Sequence, residues 1–384
     1  MQNHSTSSRS LSLAQAQPYA LPILFTLFGV IMGSWAGRIP AMAERVHVSH
    51  SALSMVLLCG GLGAVLSYPV SSRMMAAFGA RKTLLVSGLA LLAVLVAIGV
   101  APTVPLLMMA VLGLGITAST FDVAINSSAT EREKRTGKSE LSKLHGLGCA
   151  GGLAGATLGS LMASLHILPA THFLMLAAPL AALLYFAYTI LEADAGHATV
   201  EKKAFALPRG PLLFLGLIGF LGSMAEGSIA DWSGVFLKEH FGASDGLAPL
   251  ALSAFSVMML LARLVGDRLK LRYGARPLVS SGAMLGAAGL FFAVLSPNAH
   301  VALFGFAVAG LGLSLVFPFV FSAAGAQGPA ALAGVASMAY SGSLMGPPVL
   351  GAIAQGLGMQ VAIAYIGGLA LLIAFVAGRS QMLK

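Results

Sequence analysis

Charge is what this chain lacks most. Only 9% of its residues are Asp, Glu, Lys or Arg, where soluble domains carry about 25%, and that shortage excludes an ordinary water-soluble globular fold. Cysteine is scarce as well. Cys59 and Cys149 both stand in apolar segments, so they form no disulfide framework and no metal-ligand spacing, and read as small packing residues. Acidic residues number 13 against 22 Lys plus Arg. The basic excess is scattered over short loops with no aromatic-interleaved stripe, which argues against a nucleic-acid partner. No complete phosphate-binding loop and no Gly-x-Ser-x-Gly elbow occur. The chain is therefore expected to be no enzyme, to need no cofactor, and to draw energy from an ion or solute gradient.

What is present is hydrocarbon: 57% of residues are hydrophobic, the mean hydropathy is +0.88, and glycine is abundant at 46. A membrane span needs about 20 apolar residues. Such runs fall at 19–43, 50–76, 83–101, 103–129, 141–166, 169–191, 210–237, 246–270, 276–296, 299–326, 330–356 and 359–378, so the sequence predicts twelve transmembrane helices. The polar, Ser-rich residues 1–18 are expected to be a cytoplasmic tail, and the charged stretch 192–209 a cytoplasmic linker. These separate an N-terminal six-helix bundle, 19–191, from a C-terminal one, 210–384. With both termini in the cytoplasm, Arg45 and Lys238 fall outside and Arg38 and Arg263 lie within spans. The other basic residues, such as Arg81, Lys82, Arg132, Lys143, Arg268 and Arg276, face inward, as the positive-inside rule expects.

The two halves repeat. Arg73–Arg81, reading RMMAAFGAR, returns 195 positions on as RLKLRYGAR at Arg268–Arg276. Trp35-Ala-Gly37 returns near Trp232-Ser-Gly234, and Gly148 and Gly152 map onto Gly342 and Gly346. Parallel repeats of this kind lead us to expect a pseudo-symmetric transporter with its site at the interface of the two halves.

A few ionisable residues interrupt the apolar runs, and such residues are functional candidates by default. In span 4, Ser119, Asp122 and Asn126 share one helical stripe, with Asp122 roughly 12 Å from the near end of the helix. Asp122 reads either as structural glue to a neighbouring helix or as a protonatable carboxylate facing water. In span 7, Glu226 lies near the midplane. Asp231, about 140° around the helix from it, reads as a gate residue or a solvated helix end, and Trp232 is expected at interface depth. Trp35 and Arg38 share a face of span 1 just before an expected break at Pro40. Arg38 either snorkels outward or seeks a carboxylate. His145, one turn into span 5, reads as a packing histidine or as a partner of the Asp122 stripe.

At the repeated loop motifs the sequence resembles the major facilitator superfamily. The fuller copy is Arg263-Leu-Val-Gly-Asp267-Arg268 followed by Tyr273-Gly274-Ala275-Arg276. The first copy keeps Phe78-Gly79-Ala80-Arg81-Lys82, with Ser72 where Asp267 would stand. Asp122-Val-Ala-Ile-Asn126 and Glu226-Gly-Ser-Ile-Ala-Asp231-Trp232-Ser233 are similar to bacterial inner-membrane members akin to fucose-type sugar permeases. The resemblance implies two pseudo-symmetric six-helix bundles, a monomer in lipid, and proton-coupled movement of a small polar, perhaps sugar-like, solute by alternating access across the bacterial inner membrane. On this reading Asp122, Asn126, Glu226, Ser119, Trp35 and His145 would serve solute or proton. Arg38 would pair with Asp231 in an outer gate, and Arg263, Asp267, Arg268 and Arg81 would serve the inner one. The family's drug antiporters carry Gly-Pro in span 5. Here span 5 has Gly148, Gly152, Gly155 and Gly159 without proline, and Gly346-Pro347-Pro348 stands in span 11. Proton-driven export of amphipathic compounds is the alternative, and a non-transporting membrane sensor the reading from another class.

Overall fold

The computed structural model describes residues 16–136, 140–192, 209–327 and 329–383. The expected tail therefore lies largely outside the described residues, as does most of the expected linker and the side chain of Asp267. The described residues are helical almost throughout. After a short turn at Gln17–Tyr19, α1 runs Ala20–Arg45, and His50–Val100 forms α2 (50–78) and α3 (80–100). Then follow α4 Val104–Thr136, α5 Leu141–Ser164, α6 Pro169–Ile190, α7 Pro211–Phe241, α8 Leu250–Tyr273 and α9 Ala275–Leu295. Two pieces, Ala299–Leu313 and Val316–Gly325, make up α10, and α11 Pro329–Leu357 and α12 Met359–Arg379 complete the twelve. Ten of them are long and apolar enough to cross a membrane on those criteria alone, and α8 adds a shorter apolar stretch, Leu250–Gly266.

The repeat seen in the sequence is a repeat of structure. Gly79 (φ 75°) divides α2 from α3, and Gly274 (φ 81°), 195 positions later, divides α8 from α9. A side chain at such a φ is strained, which explains a glycine at both corners. Packing repeats too. Gly115 of α4 lies against the backbone of Gly60 in α2, and Gly310 of α10 lies against that of Phe255 in α8, again 195 on.

Helices in lipid gain little from hydrophobic contact with one another, so close approach through small residues holds them together. On α1, Gly29 and Gly33 lie against the carbonyls of Gly148 and Gly152 on α5, each helix stepping by four residues. In the C-terminal half Gly342 of α11 meets the Phe220 backbone of α7. Prolines inside helices are accommodated by such neighbours. The expected break at Pro40 does not occur: α1 continues through it to Arg45.

The chain forms two compact units. One takes the chain through Trp35, Cys59–Gly155 and the stretch from Ile167 to the end of α6. The other takes Ala36–Leu58, Ala156–His166 and everything from α7 onward. The second unit thus gathers the last turns of α1, the start of α2 and the end of α5 with the C-terminal helices.

Candidate solute and proton sites

In the first unit the Asp122 stripe finds the histidine. Asn126 Nδ2 donates to Asp122 Oδ1 at 3.0 Å and to the Asp122 carbonyl at 2.9 Å, one helical turn back. With its amide nitrogen so committed, Asn126 presents Oδ1 to His145 Nε2 of α5 at 3.1 Å, so the histidine donates. The Phe25 ring of α1 meets the imidazole edge-on at 5.1 Å between centroids. Asp122, Asn126 and Ser119 are half-buried, and His145 is exposed. A carboxylate, an amide and an imidazole in series form a line along which a proton or a hydroxyl-bearing solute could be bound.

In the second unit Arg263 reaches back from α8 to α7. Its Nη2 lies 3.5 Å from Glu226 Oε1, and its Nε donates to the Ser314 carbonyl at 3.1 Å. That carbonyl is available for a reason in the sequence. Pro318 has no N–H to offer four residues back, and α10 is interrupted between Leu313 and Val316. Arg263 fills the vacated position and sets a positive charge beside Glu226. Side-chain exposure is 27% for Arg263 and 23% for Glu226, so the pair is neither solvated freely nor sealed.

The gating expectations fare differently. Arg38 is buried, its Nη1 donating to the Gly159 carbonyl of α5 at 3.3 Å, and the charge of Asp245 also acts on it. Asp231 is half-buried on α7. Trp232 is fully buried beside His50, 6.2 Å between ring centroids, rather than at an interface. Trp35 is also buried. Arg81 is engaged within its own unit: Nε and Nη2 donate to the Tyr188 carbonyl near the end of α6, at 3.1 and 2.9 Å, and the guanidinium covers the Tyr188 ring. Arg268 is exposed.

Charges that sequence reasoning passed over gather where α1 ends and α2 begins. Lys238 of α7 engages Glu44 of α1 and lies 2.5 Å from Asp245. His50, at the start of α2, lies 2.6 Å from Glu239. The Ser160 hydroxyl donates to the Gly246 carbonyl. One signal was available: Lys238 is among the few basic residues that break the loop-charge asymmetry.

Residues 21–341 match the sequence pattern of the Major Facilitator Superfamily. The chain belongs to that superfamily. Among its facilitator relatives, an uncharacterised transporter of Sinorhizobium fredii is 32% identical over 92% of this chain and 95% of its own length. An uncharacterised MFS-type transporter of Yersinia pestis is likewise 32% identical, over 95% of both chains. The membrane protein MosC of Rhizobium meliloti is 28% identical over 92% of this chain and 88% of its own. The facilitator fold appears in solved structures as well. The nucleoside transporter NupG, as its D323A mutant, superposes with a TM-score of 0.78 over 94% of this chain and 99% of its own at 16% identity. A bacterial homologue of the human lysosomal transporter Spinster gives 0.75 over 97% of each chain at 13% identity. This protein is thus a multi-pass membrane facilitator.

Proposed function

We propose that this facilitator is a secondary active transporter of a small polar solute across the bacterial inner membrane, driven by protons and working by alternating exposure of its sites. The observation that carries the reading is the hydrogen-bonded series Asp122–Asn126–His145 within membrane-length helices. A carboxyl group in such a place serves best if it can accept a proton and cross neutral, since a fixed charge amid hydrocarbon costs several kcal/mol. Glu226, with Arg263 beside it, is the second candidate. Polar side chains in both units favour a hydroxyl-rich solute, a sugar or a compound containing one. That the same fold serves a nucleoside transporter agrees with this at the level of architecture.

Both termini are assigned to the cytoplasm from loop charge. On that assignment the cluster Glu44, His50, Lys238, Glu239 and Asp245 lies outside and forms the outer gate. Arg38 holds α5 there through Gly159.

Reconstituted protein tests the coupling. Asp122→Asn should abolish proton-driven accumulation in liposomes while leaving solute counterflow intact, because exchange needs no net proton movement. Full pH-driven accumulation by the variant would remove Asp122 from the mechanism. Thermal stabilisation of the purified protein across a panel of sugars, nucleosides and amphipathic dyes would identify the solute class, since ligands of the folded state raise its melting temperature.

A further inference from the structure

α9 and α12 leave a groove of about 640 Å3 between them, lined by Ser280 and Met284 on one side and Leu371, Ala374 and Phe375 on the other, with Arg379 at its end. Met284, Leu371 and Phe375 are 58%, 48% and 55% exposed, so the groove opens outward from the bundle. The two helices are pinned together beside it. Ser280 Oγ donates to the Ala374 carbonyl at 2.9 Å, and Arg276 Nη2 donates to the Gly378 carbonyl, one of those left without a partner at the end of α12. The Arg379 guanidinium lies 3.6 Å from the centroid of the Phe375 ring, a cation–π contact that holds it over the apolar floor.

An open apolar groove that ends in two exposed arginines has the polarity of a phospholipid. Its own two helices carry charge of one sign: neither α9 nor α12 contains an acidic residue, and their charged residues are Arg276 and Arg379. We propose that this groove binds an anionic phospholipid of the adjacent leaflet, with acyl chain along Met284, Leu371 and Phe375 and the headgroup phosphate between Arg276 and Arg379. Basic pockets between membrane helices recognise anionic headgroups in this way, each arginine near the surface strengthening binding about fivefold. The site is separate from Asp122 and Glu226, so the proposal stands independently of the transport reading.

The test uses the full chain, stripped of lipid in detergent, with melting temperature and native mass spectrometry as readouts. Phosphatidylglycerol or cardiolipin should raise the melting temperature and remain bound. Phosphatidylethanolamine at the same mole fraction should do little, and inorganic phosphate nothing. Arg379→Gln, whose side chain contacts its own helix, should cost about fivefold in phosphatidylglycerol affinity without disturbing the α9–α12 bonds. Met284→Trp, which fills the groove and leaves every charge in place, should also weaken retention. Equal stabilisation by the zwitterionic lipid, the same effect from free phosphate, or unchanged binding by Arg379→Gln would overturn the proposal.

Discussion

Arg263 stands 3.5 Å from Glu226 and at the same time caps a carbonyl of the broken helix α10. One guanidinium therefore ties three helices of the second unit, and the effects of removing each partner should differ. Arg263→Met leaves Glu226 without its counter-charge and Ser314 without its donor. A fully buried pair broken on one side costs about 3–5 kcal/mol. This pair is roughly a quarter exposed and long, so about 1–2 kcal/mol is expected. Glu226→Gln should cost less, and the double variant should be more stable than Arg263→Met alone. Chemical denaturation in detergent measures the difference. A double variant no better than the sum of the singles would show that the two groups do not interact.

Much of this architecture was legible before any coordinates. Apolar runs placed all twelve helices, and a repeated loop motif placed the corners at Gly79 and Gly274. Those signals are local, because span length and positive φ are set by a few adjacent residues. Side-chain partners were harder. The stripe Asp122–Asn126 could be read from helical periodicity, but its link to His145 depends on how α4 and α5 lie side by side. The gate partner expected for Arg263, Asp267, has its side chain outside the described residues. The hold of Arg263 on Ser314 follows from the missing N–H of Pro318, whereas its approach to Glu226 depends on how α7 and α8 pack. Arg38 was assigned to Asp231 by pseudo-symmetry. The loop after α7 also brings the charge of Asp245 to bear on it, and no periodicity within one helix encodes that approach.

Glycine positions separate packing from flexibility. A methyl on Gly33 would collide with the Gly152 carbonyl, whereas one on Gly146 of α5 would meet nothing within 4 Å. Gly33→Ala should therefore force α1 from α5 and sharply lower the yield of monodisperse protein. Gly146→Ala should be neutral or stabilising by about 0.5–1 kcal/mol, through helix propensity alone. Size-exclusion profiles and melting temperatures compare the two directly, and similar behaviour would mean that close α1–α5 approach is not what holds the unit together.

The His145–Asn126–Asp122 series separates hydrogen bonding from titration. A glutamine at 145 can still donate to Asn126 Oδ1, but it cannot take up a proton near neutral pH. His145→Gln is expected to keep substantial transport with a flattened dependence on pH, and His145→Leu to lose most activity at every pH. Asn126→Leu removes both links and should resemble Asp122→Asn in losing accumulation. Initial rates of uptake into proteoliposomes between pH 5.5 and pH 8 would distinguish these outcomes. An unchanged pH profile in His145→Gln would leave the histidine with a packing role only.

Lys238 faces two carboxylates, and the gating role proposed for it makes a different demand. The side chains of Glu44 and Asp245 are 61% and 40% exposed, so each pair contributes at most about 1 kcal/mol. Weak, wet pairs suit contacts that must part in every transport cycle. Lys238→Met turns the cluster from attraction into repulsion between Glu44 and Asp245, and should favour the open state of that face. Ser160, buried and bonded to the carbonyl of Gly246 next to Asp245 in the chain, offers a reporter. In a background with Cys59 and Cys149 replaced, Ser160→Cys should react slowly with a membrane-impermeant maleimide added from outside. Adding Lys238→Met should speed that labelling severalfold, and the paired exchange Glu44→Lys with Lys238→Glu should bring the rate back toward its starting value. Labelling that ignores all three changes would mean the cluster is a surface ornament and the gate lies elsewhere.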